Sequence, residues 1–160
     1  MSYKVFTVAD VKYLDGPTLK SWILQGHTNL GSNFQIIDVR DGDYIGGHIV
    51  CSKHIESNSF KNEKSIQTLS LLLNTLRQKK QDTVVFHCML SQQRGPSSAM
   101  RFMRYLNEKL ELSQDQQELE FVQSVKIYIL RGGFGKWQEV YGEDPKLTEG
   151  YRKDIWKYGY

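Results

Sequence analysis

Cys88 and Arg94 enclose five residues, Met89-Leu90-Ser91-Gln92-Gln93. A loop of that length can curl until several backbone N–H groups converge on one tetrahedral oxyanion such as phosphate or arsenate. Arg94 would close this nest, because its planar fork can donate two hydrogen bonds to equatorial oxygens and stabilise the extra charge of a transition state. The same N–H groups and positive charge should lower the pKa of Cys88, so that a thiolate is present to attack in line. The reading makes Cys88 and Arg94 catalytic and assigns Met89, Leu90, Ser91, Gln92 and Gln93, with Arg94, to the oxyanion loop. His87 reads as a structural group, since a thiolate in such a nest needs no base.

The flanking residues supply the positioning. Thr83-Val84-Val85-Phe86 is a β-branched and aromatic run with the pattern of a buried parallel strand. After the loop, Pro96 suits the first position of a helix, and Ala99, Phe102, Met103, Leu106 and Leu110 recur on one helical face. The loop therefore joins a strand's C-terminal end to a helix N-terminus. In an open α/β sheet that is where ligands bind, and the unpaired N–H groups of the first helical turn attract anions there.

Composition narrows the partners. A chain of 160 residues fits one domain able to bury a core without disulfides. Its net charge of +3 is too mild to point to nucleic acid, yet would not repel a phosphorylated substrate. Cys51 and Cys88 form no disulfide framework, and a free reactive thiol is most at home in a reducing compartment. No apolar run is long enough to span a bilayer, and Met1 to Asp10 lacks the apolar core of a secretory signal. The expected setting is the cytoplasm, with the nucleus as a second location and no membrane partner; oligomeric state is unread.

Along the chain, Asp15-Gly16-Pro17 is a helix-start signal, with Leu19, Trp22 and Ile23 on one face until Gly26 ends the segment. Phe34 to Val39 reads as a buried strand ending in Arg40-Asp41-Gly42-Asp43, where Asp38 and Arg40 are expected to be structural. Gly46-Gly47 permits a tight backbone path before His48, a loop histidine without a metal-site cluster around it. Ile66, Leu69, Leu73 and Leu76 mark a crossover helix within Asn62 to Lys80. A polar, acidic connection follows through Ser113, Asp115, Glu118 and Glu120, and a strand then carries Val125, Ile127 and Ile129. Arg131-Gly132-Gly133-Phe134 leads into a short helix with Trp137 and Val140, and the glycine turn reads as architecture. The tail from Asp144 onward, with Tyr151, Trp156, Tyr158 and Tyr160, either packs as a terminal flap or stays mobile. Cys51 reads as a buried structural cysteine. Strands alternating with helices predict an α/β fold, a mostly parallel central sheet with helices on both faces.

Three blocks carry a family resemblance. Ile36-Ile37-Asp38-Val39-Arg40 with Tyr44 to Ile49, then His87-Cys88 to Pro96, then Leu130 to Phe134 with Trp137, resemble the signature blocks of a rhodanese domain and span about residues 34–141. Within that family, sulfurtransferases typically have one residue fewer between cysteine and arginine. The longer loop resembles that of the cell-division-cycle-twenty-five class of protein phosphatases and of the eukaryotic arsenate reductases. The resemblance implies that Cys88 forms a phosphocysteine, that Arg94 clamps the phosphoryl group, and that water hydrolyses the intermediate.

The chain departs from those phosphatases in two places, and from many other cysteine phosphatases in a third. Gln93 stands where they carry an acidic residue, leaving the leaving-group acid unassigned. Val39 stands where they can carry a protective cysteine, and Gly95 replaces the hydroxyl that follows the arginine in many other cysteine phosphatases. The first expectation is a protein phosphatase, tyrosine or dual-specificity, acting on phosphorylated protein without metal or cofactor. The second is an arsenate reductase taking a small oxyanion, with glutathione as co-substrate; no protein leaving group needs protonating there, which accommodates Gln93. A non-catalytic phosphoanion-binding module and sulfur transfer complete the alternatives.

Overall fold

The computed structural model describes residues 3–158, so Met1 and the aromatic Tyr160 lie outside the described residues. In chain order the elements are β1 (Val11–Leu14), α1 (Gly16–Gln25), β2 (Phe34–Asp38), β3 (His48–Ile49), β4 (Ser52–His54), α2 (Ser65–Gln78), β5 (Thr83–His87), α3 (Arg94–Leu112), α4 (Gln116–Ser124), β6 (Lys126–Leu130), α5 (Gly133–Tyr141), β7 (Thr148–Glu149) and α6 (Lys153–Tyr158). Five strands form one sheet in the order β1-β6-β5-β2-β4, every neighbouring pair parallel. The α/β fold with a parallel central sheet expected from the sequence is therefore present. A two-stranded antiparallel ribbon, β3 with β7, lies beside it.

Alternation along each central strand builds two apolar layers. Ile37, Val84, Phe86, Ile127 and Ile129 face one side, where they meet α2, α3 and α4 through Leu73, Leu76, Phe102, Leu106 and Val122. Ile36, Val85 and Leu130 face the other, against Leu19 and Trp22 of α1 and Phe134 and Trp137 of α5. Each helix has a local reason to begin where it does. Asp15 caps α1 by accepting from the Thr18 N–H at 2.9 Å, and Gly26 ends it in the left-handed region at φ +88°.

Four local expectations need correction. The 113–120 connection is not wholly loop: α4 starts at Gln116, capped by Asp115, which accepts from the N–H groups of Gln117 and Glu118. The helix after the Cys88 loop begins at Arg94, so Pro96 sits third in its first turn, where its missing N–H is still no loss. Ile66 is 73% exposed because the inward stripe of α2 starts a turn later, at Leu69, and includes Leu72. Cys51 is exposed: it lies in the two-residue turn between β3 and β4, at φ +61°, and is no core residue.

Because all five strands of the main sheet are parallel, their C-terminal ends share one edge. Asp38 is paired with His87 in register, so the chain leaving β2 and the Cys88 loop leaving β5 emerge side by side. That adjacency builds the site.

Candidate active site

Cys88 follows β5 directly and is 3% exposed. Its Sγ accepts hydrogen bonds from the N–H of Ser91 at 3.2 Å and of Gly95 at 3.3 Å. Ser91 achieves this through a left-handed backbone, φ +56°, that folds the loop back over the thiol. Gly95 contributes one of the unpaired N–H groups of the first turn of α3. Two N–H dipoles thus present their positive ends to one sulfur.

The loop is bolted from behind. The N–H groups of Phe134 and Gly135 donate to the carbonyls of Cys88 and Met89 at 2.9 and 2.8 Å. Gly133 must be a glycine here, since at φ +59° an added Cβ would stand 2.5 Å from the Met89 oxygen and 2.6 Å from that of Cys88. The glycine turn is thus architecture whose purpose is to hold the thiol's loop. Arg131 is not brought to the site; its guanidinium stacks on the Tyr13 ring at 4.9 Å. Of the remaining loop residues Leu90, Gln92 and Gln93 are exposed at the rim, and Met89 is half-buried.

Arg94 is where sequence reasoning fell short. Its Nη1 and Nη2 donate to the two carboxylate oxygens of Asp43, each at 2.7 Å, and Nη1 also reaches Asp41 at 3.3 Å. The sequence signal for this contact is Asp41-Gly42-Asp43 just after β2, whose neighbour β5 ends at His87, next to the thiol. Hydrogen bonding from Arg94, above all, holds the Asp43 carboxyl below its ordinary range. For Asp41, burial pushes upward, but hydrogen bonds from Ser57, Asn58 and Arg94 outweigh it and leave that carboxyl lowered too. Asp43 in turn raises the pKa of Arg94. The bonds to Asp41 and Asp43 use the terminal Nη1 and Nη2 end of the guanidinium. Among the described residues nothing bonds to Nε, so the Nε and Nη2 edge retains a pair of donors for an oxyanion.

Beneath this lies a second acid–base group, wholly buried. Asp38 and Arg40 pair at 2.7 Å with neither side chain exposed. Arg40 also donates to the carbonyls of Ile45 and Gly47 at 3.3 and 2.8 Å, and lies 4.3 and 4.9 Å from the ring centroids of Phe134 and Tyr44. His87 Nδ1 contacts the Cys88 carbonyl at 3.1 Å, and a carbonyl can only accept, so Nδ1 carries the proton. Burial drives the His87 pKa down against the pull of Asp38, whose nearer oxygen is 3.7 Å from Nε2. Burial pushes Asp38 up, and the hydrogen bonds and charge of Arg40 hold it below its ordinary value. These residues set the floor of the site and touch no substrate.

The tail covers the adjoining turn. Trp156 Nε1 donates to the Gly46 carbonyl at 2.8 Å, and its ring packs 5.5 Å from that of Phe134. His48 pairs with Glu149 across the β3–β7 ribbon at 3.4 Å.

Residues 23–140 match the family described as Rhodanese-like domain. Over 158 residues the chain is 41% identical to the CDC25-like phosphatase YCH1 of Saccharomyces cerevisiae, covering 95% of this chain and 98% of that protein. It is 31% identical over 147 residues to the dual specificity phosphatase ibp1 of Schizosaccharomyces pombe, covering 89% and 99%. It is also 31% identical over 111 residues to arsenical-resistance protein 2 of Saccharomyces cerevisiae, covering 69% and 78%. A solved structure described as a yeast protein tyrosine phosphatase of the rhodanese family superposes with a TM-score of 0.79 at 42% identity, covering 92% of this chain and 97% of that one. The parallel sheet, the thiol loop at its C-terminal edge and these similarities agree, and the chain belongs to the rhodanese-like domain family.

Proposed function

We propose that this protein is a cysteine-dependent phosphatase of aryl phosphate esters, phosphotyrosine in protein foremost, acting through a phosphocysteine. The observation that carries the proposal is the meeting of three parts within one loop: Cys88 Sγ facing two N–H donors, the tightly held Arg94, and a free edge on that guanidinium. In the first step the Cys88 thiolate attacks phosphorus, forming the S–P bond as the P–O bond to the aryl group breaks; the bonding electrons leave on the aryl oxygen. Loop N–H groups and Arg94 hold the equatorial oxygens while charge spreads over them. Water then attacks phosphorus, breaks the S–P bond and returns the thiolate with inorganic phosphate.

The preference for aryl esters rests on the acid. Gln93 cannot protonate a leaving group, and Asp41 and Asp43 are held ionised by Arg94, which makes them poor proton donors. A phenolate, with a conjugate acid near pKa ~10, departs more readily unprotonated than a serine or threonine alkoxide. No metal or cofactor enters these steps. The setting that suits a persistent free thiol is the cytoplasm, with the nucleus beside it.

The similarity to arsenical-resistance protein 2 supports a second reading, arsenate reduction. There Cys88 would bond to arsenic with loss of hydroxide, and glutathione would attack sulfur, leaving a mixed disulfide and arsenite. A side-by-side assay separates the two: reduced protein with a phosphotyrosine peptide, and with arsenate, glutathione and glutaredoxin. Cys88-dependent phosphate release with little arsenite is the expected result. Arsenite far exceeding phosphate would put the second reading in place of the first, and silence in both would leave a phosphoanion-binding module.

A further inference from the structure

Gly132 and Gly133, the turn that holds the thiol loop, also line a cavity of about 410 Å³, a size typical of ligand clefts. Its walls are largely carbon: Pro17 of α1, Leu130 at the end of β6, and Trp137, Val140 and Tyr141 of α5. Trp137 donates its Nε1 proton to Thr148 Oγ1 at 3.0 Å, and its ring lies 4.6 Å from that of Tyr141. With its polar edge engaged, the indole offers the cleft hydrocarbon and no donor. The thiol loop reaches the same helix by a second contact. A Cβ added at Gly135 would stand 3.7 Å from Leu90 Cδ2, so the Leu90 side chain rests on the first turn of α5. Leu90 is 55% exposed, and Val140, near the other end of that helix, is 58% exposed. Exposed apolar side chains gathered around one cleft mark a contact face.

The rim of the cleft is cationic. The stem of Lys136 packs over Gly132, which leaves its ammonium outside. Lys20 sits over the Tyr141 ring at 5.5 Å, and Arg131 stacks on Tyr13; neither forms an ion pair among the described residues. Of the two carboxylates at hand, Asp15 caps α1 and Glu139 lies 4.0 Å from Lys136. A second copy of this chain, with its net charge of +3, would bring like charge to this rim. An acidic, phosphorylated polypeptide would bring the opposite charge, and the thiol loop one glycine away already calls for such a chain.

We propose that this cleft receives an apolar side chain of the phosphorylated polypeptide substrate, from a residue a few positions away from the phosphotyrosine held over Cys88. Acidic neighbours of that residue lie against Lys20, Arg131 and Lys136. The proposal rests on the phosphatase reading for its substrate class, and it makes the sequence around the phosphotyrosine a determinant of turnover. An extended chain advances about 3.3 Å per residue, so one spacing between phosphotyrosine and apolar side chain is favoured over the rest.

The test measures turnover of serine- and glycine-based phosphotyrosine peptides by the full-length protein, with a single leucine moved stepwise along either side of the phosphotyrosine and a leucine-free parent for comparison. At the favoured spacing kcat/KM should rise about tenfold over the parent, through KM. Val140→Asp, at an exposed position, should abolish that gain and leave turnover of a small aryl phosphate unchanged. Glutamates placed beside the leucine should lower KM further, an effect that Lys136→Glu reverses and added salt weakens. Equal kcat/KM at every leucine position, or a gain that survives Val140→Asp, would overturn the cleft. Self-association that Val140→Asp relieves, without any leucine preference, would give the face to a second copy and overturn it too. Equilibrium binding of the same peptides to Cys88→Ser is measured alongside. If the wild-type protein releases no phosphate while the leucine preference persists in binding, the phosphatase reading fails and the cleft stands.

Discussion

Two aspartate–arginine pairs lie within a few residues of each other at the C-terminal edge of this sheet, and they are put to opposite uses. Arg40 meets Asp38 with no exposure on either side, gives its remaining hydrogen bonds to the carbonyls of Ile45 and Gly47, and lies close to two rings. Arg94 meets Asp43 with side-chain exposures of 30% and 26%, and among the described residues one edge of its guanidinium is unbound. A buried ion pair gains little net stability unless all its hydrogen bonds are met, and removing one partner is severe. The first pair fits that description and fixes the turn that carries Asp41 and Asp43. The second pair is held firmly at one end, and under the proposed function its other edge is the one offered to an anion. The difference lies in how many donors are already spent, and residue type alone does not reveal it.

Breaking the buried pair should have the largest effect on the fold. Arg40→Met leaves Asp38 without its guanidinium in a sealed site, and denaturant unfolding should report a loss of about 3–5 kcal/mol. Arg94→Lys should leave the unfolding midpoint close to wild type and cost about 10²–10³ in kcat, because an ammonium lacks the fork. If these two outcomes were exchanged, the assignment of roles would be wrong. Asp43→Asn sharpens the comparison: it weakens the anchor of Arg94 without touching the thiol, so kcat should fall roughly tenfold. Combined with Arg94→Lys it should add almost nothing, since both act through one guanidinium.

The smallest effect is a pH dependence at the floor of the site. Burial lowers the His87 pKa from 6.5, so the folded protein keeps this imidazole neutral while the unfolded chain takes up a proton. Its contribution to stability is complete above the unfolded value and declines as pH falls below it, through to the folded value. Urea midpoints should therefore decrease from about pH 7 toward pH 5, by an amount that His87→Asn reduces. An unchanged slope in the variant would place the titrating group elsewhere.

Much of this is legible because strands β2, β5 and β6 are apolar runs bounded by glycine or polar residues, and because Cys88 and Arg94 fall within one short stretch of sequence. What escaped has physical reasons. The Arg94–Asp43 contact joins residues 51 apart, and only the strand order that puts β2 beside β5 creates it. Helix α4 buries just Leu119 and Val122, too short a stripe to stand out from its polar surroundings, although Asp115 and Glu118 at cap spacing marked its start. A buried Cys51 is the natural expectation because cysteines are usually buried, whereas here a two-residue turn holds it at the surface. Strand β1 carries little sequence signal because it is an edge strand with only Leu14 buried.

The most direct test of the central claim is to catch the covalent intermediate. Reduced wild-type protein and Cys88→Ser would be mixed with an aryl phosphate labelled at phosphorus, quenched within one turnover, and mapped by mass spectrometry of their peptides. The account predicts a phosphoryl group on the Cys88 peptide of the wild-type protein, none on the variant, and turnover in the variant lowered by about three orders of magnitude or more. Steady phosphate release without label on Cys88, or a variant as active as wild type, would contradict it.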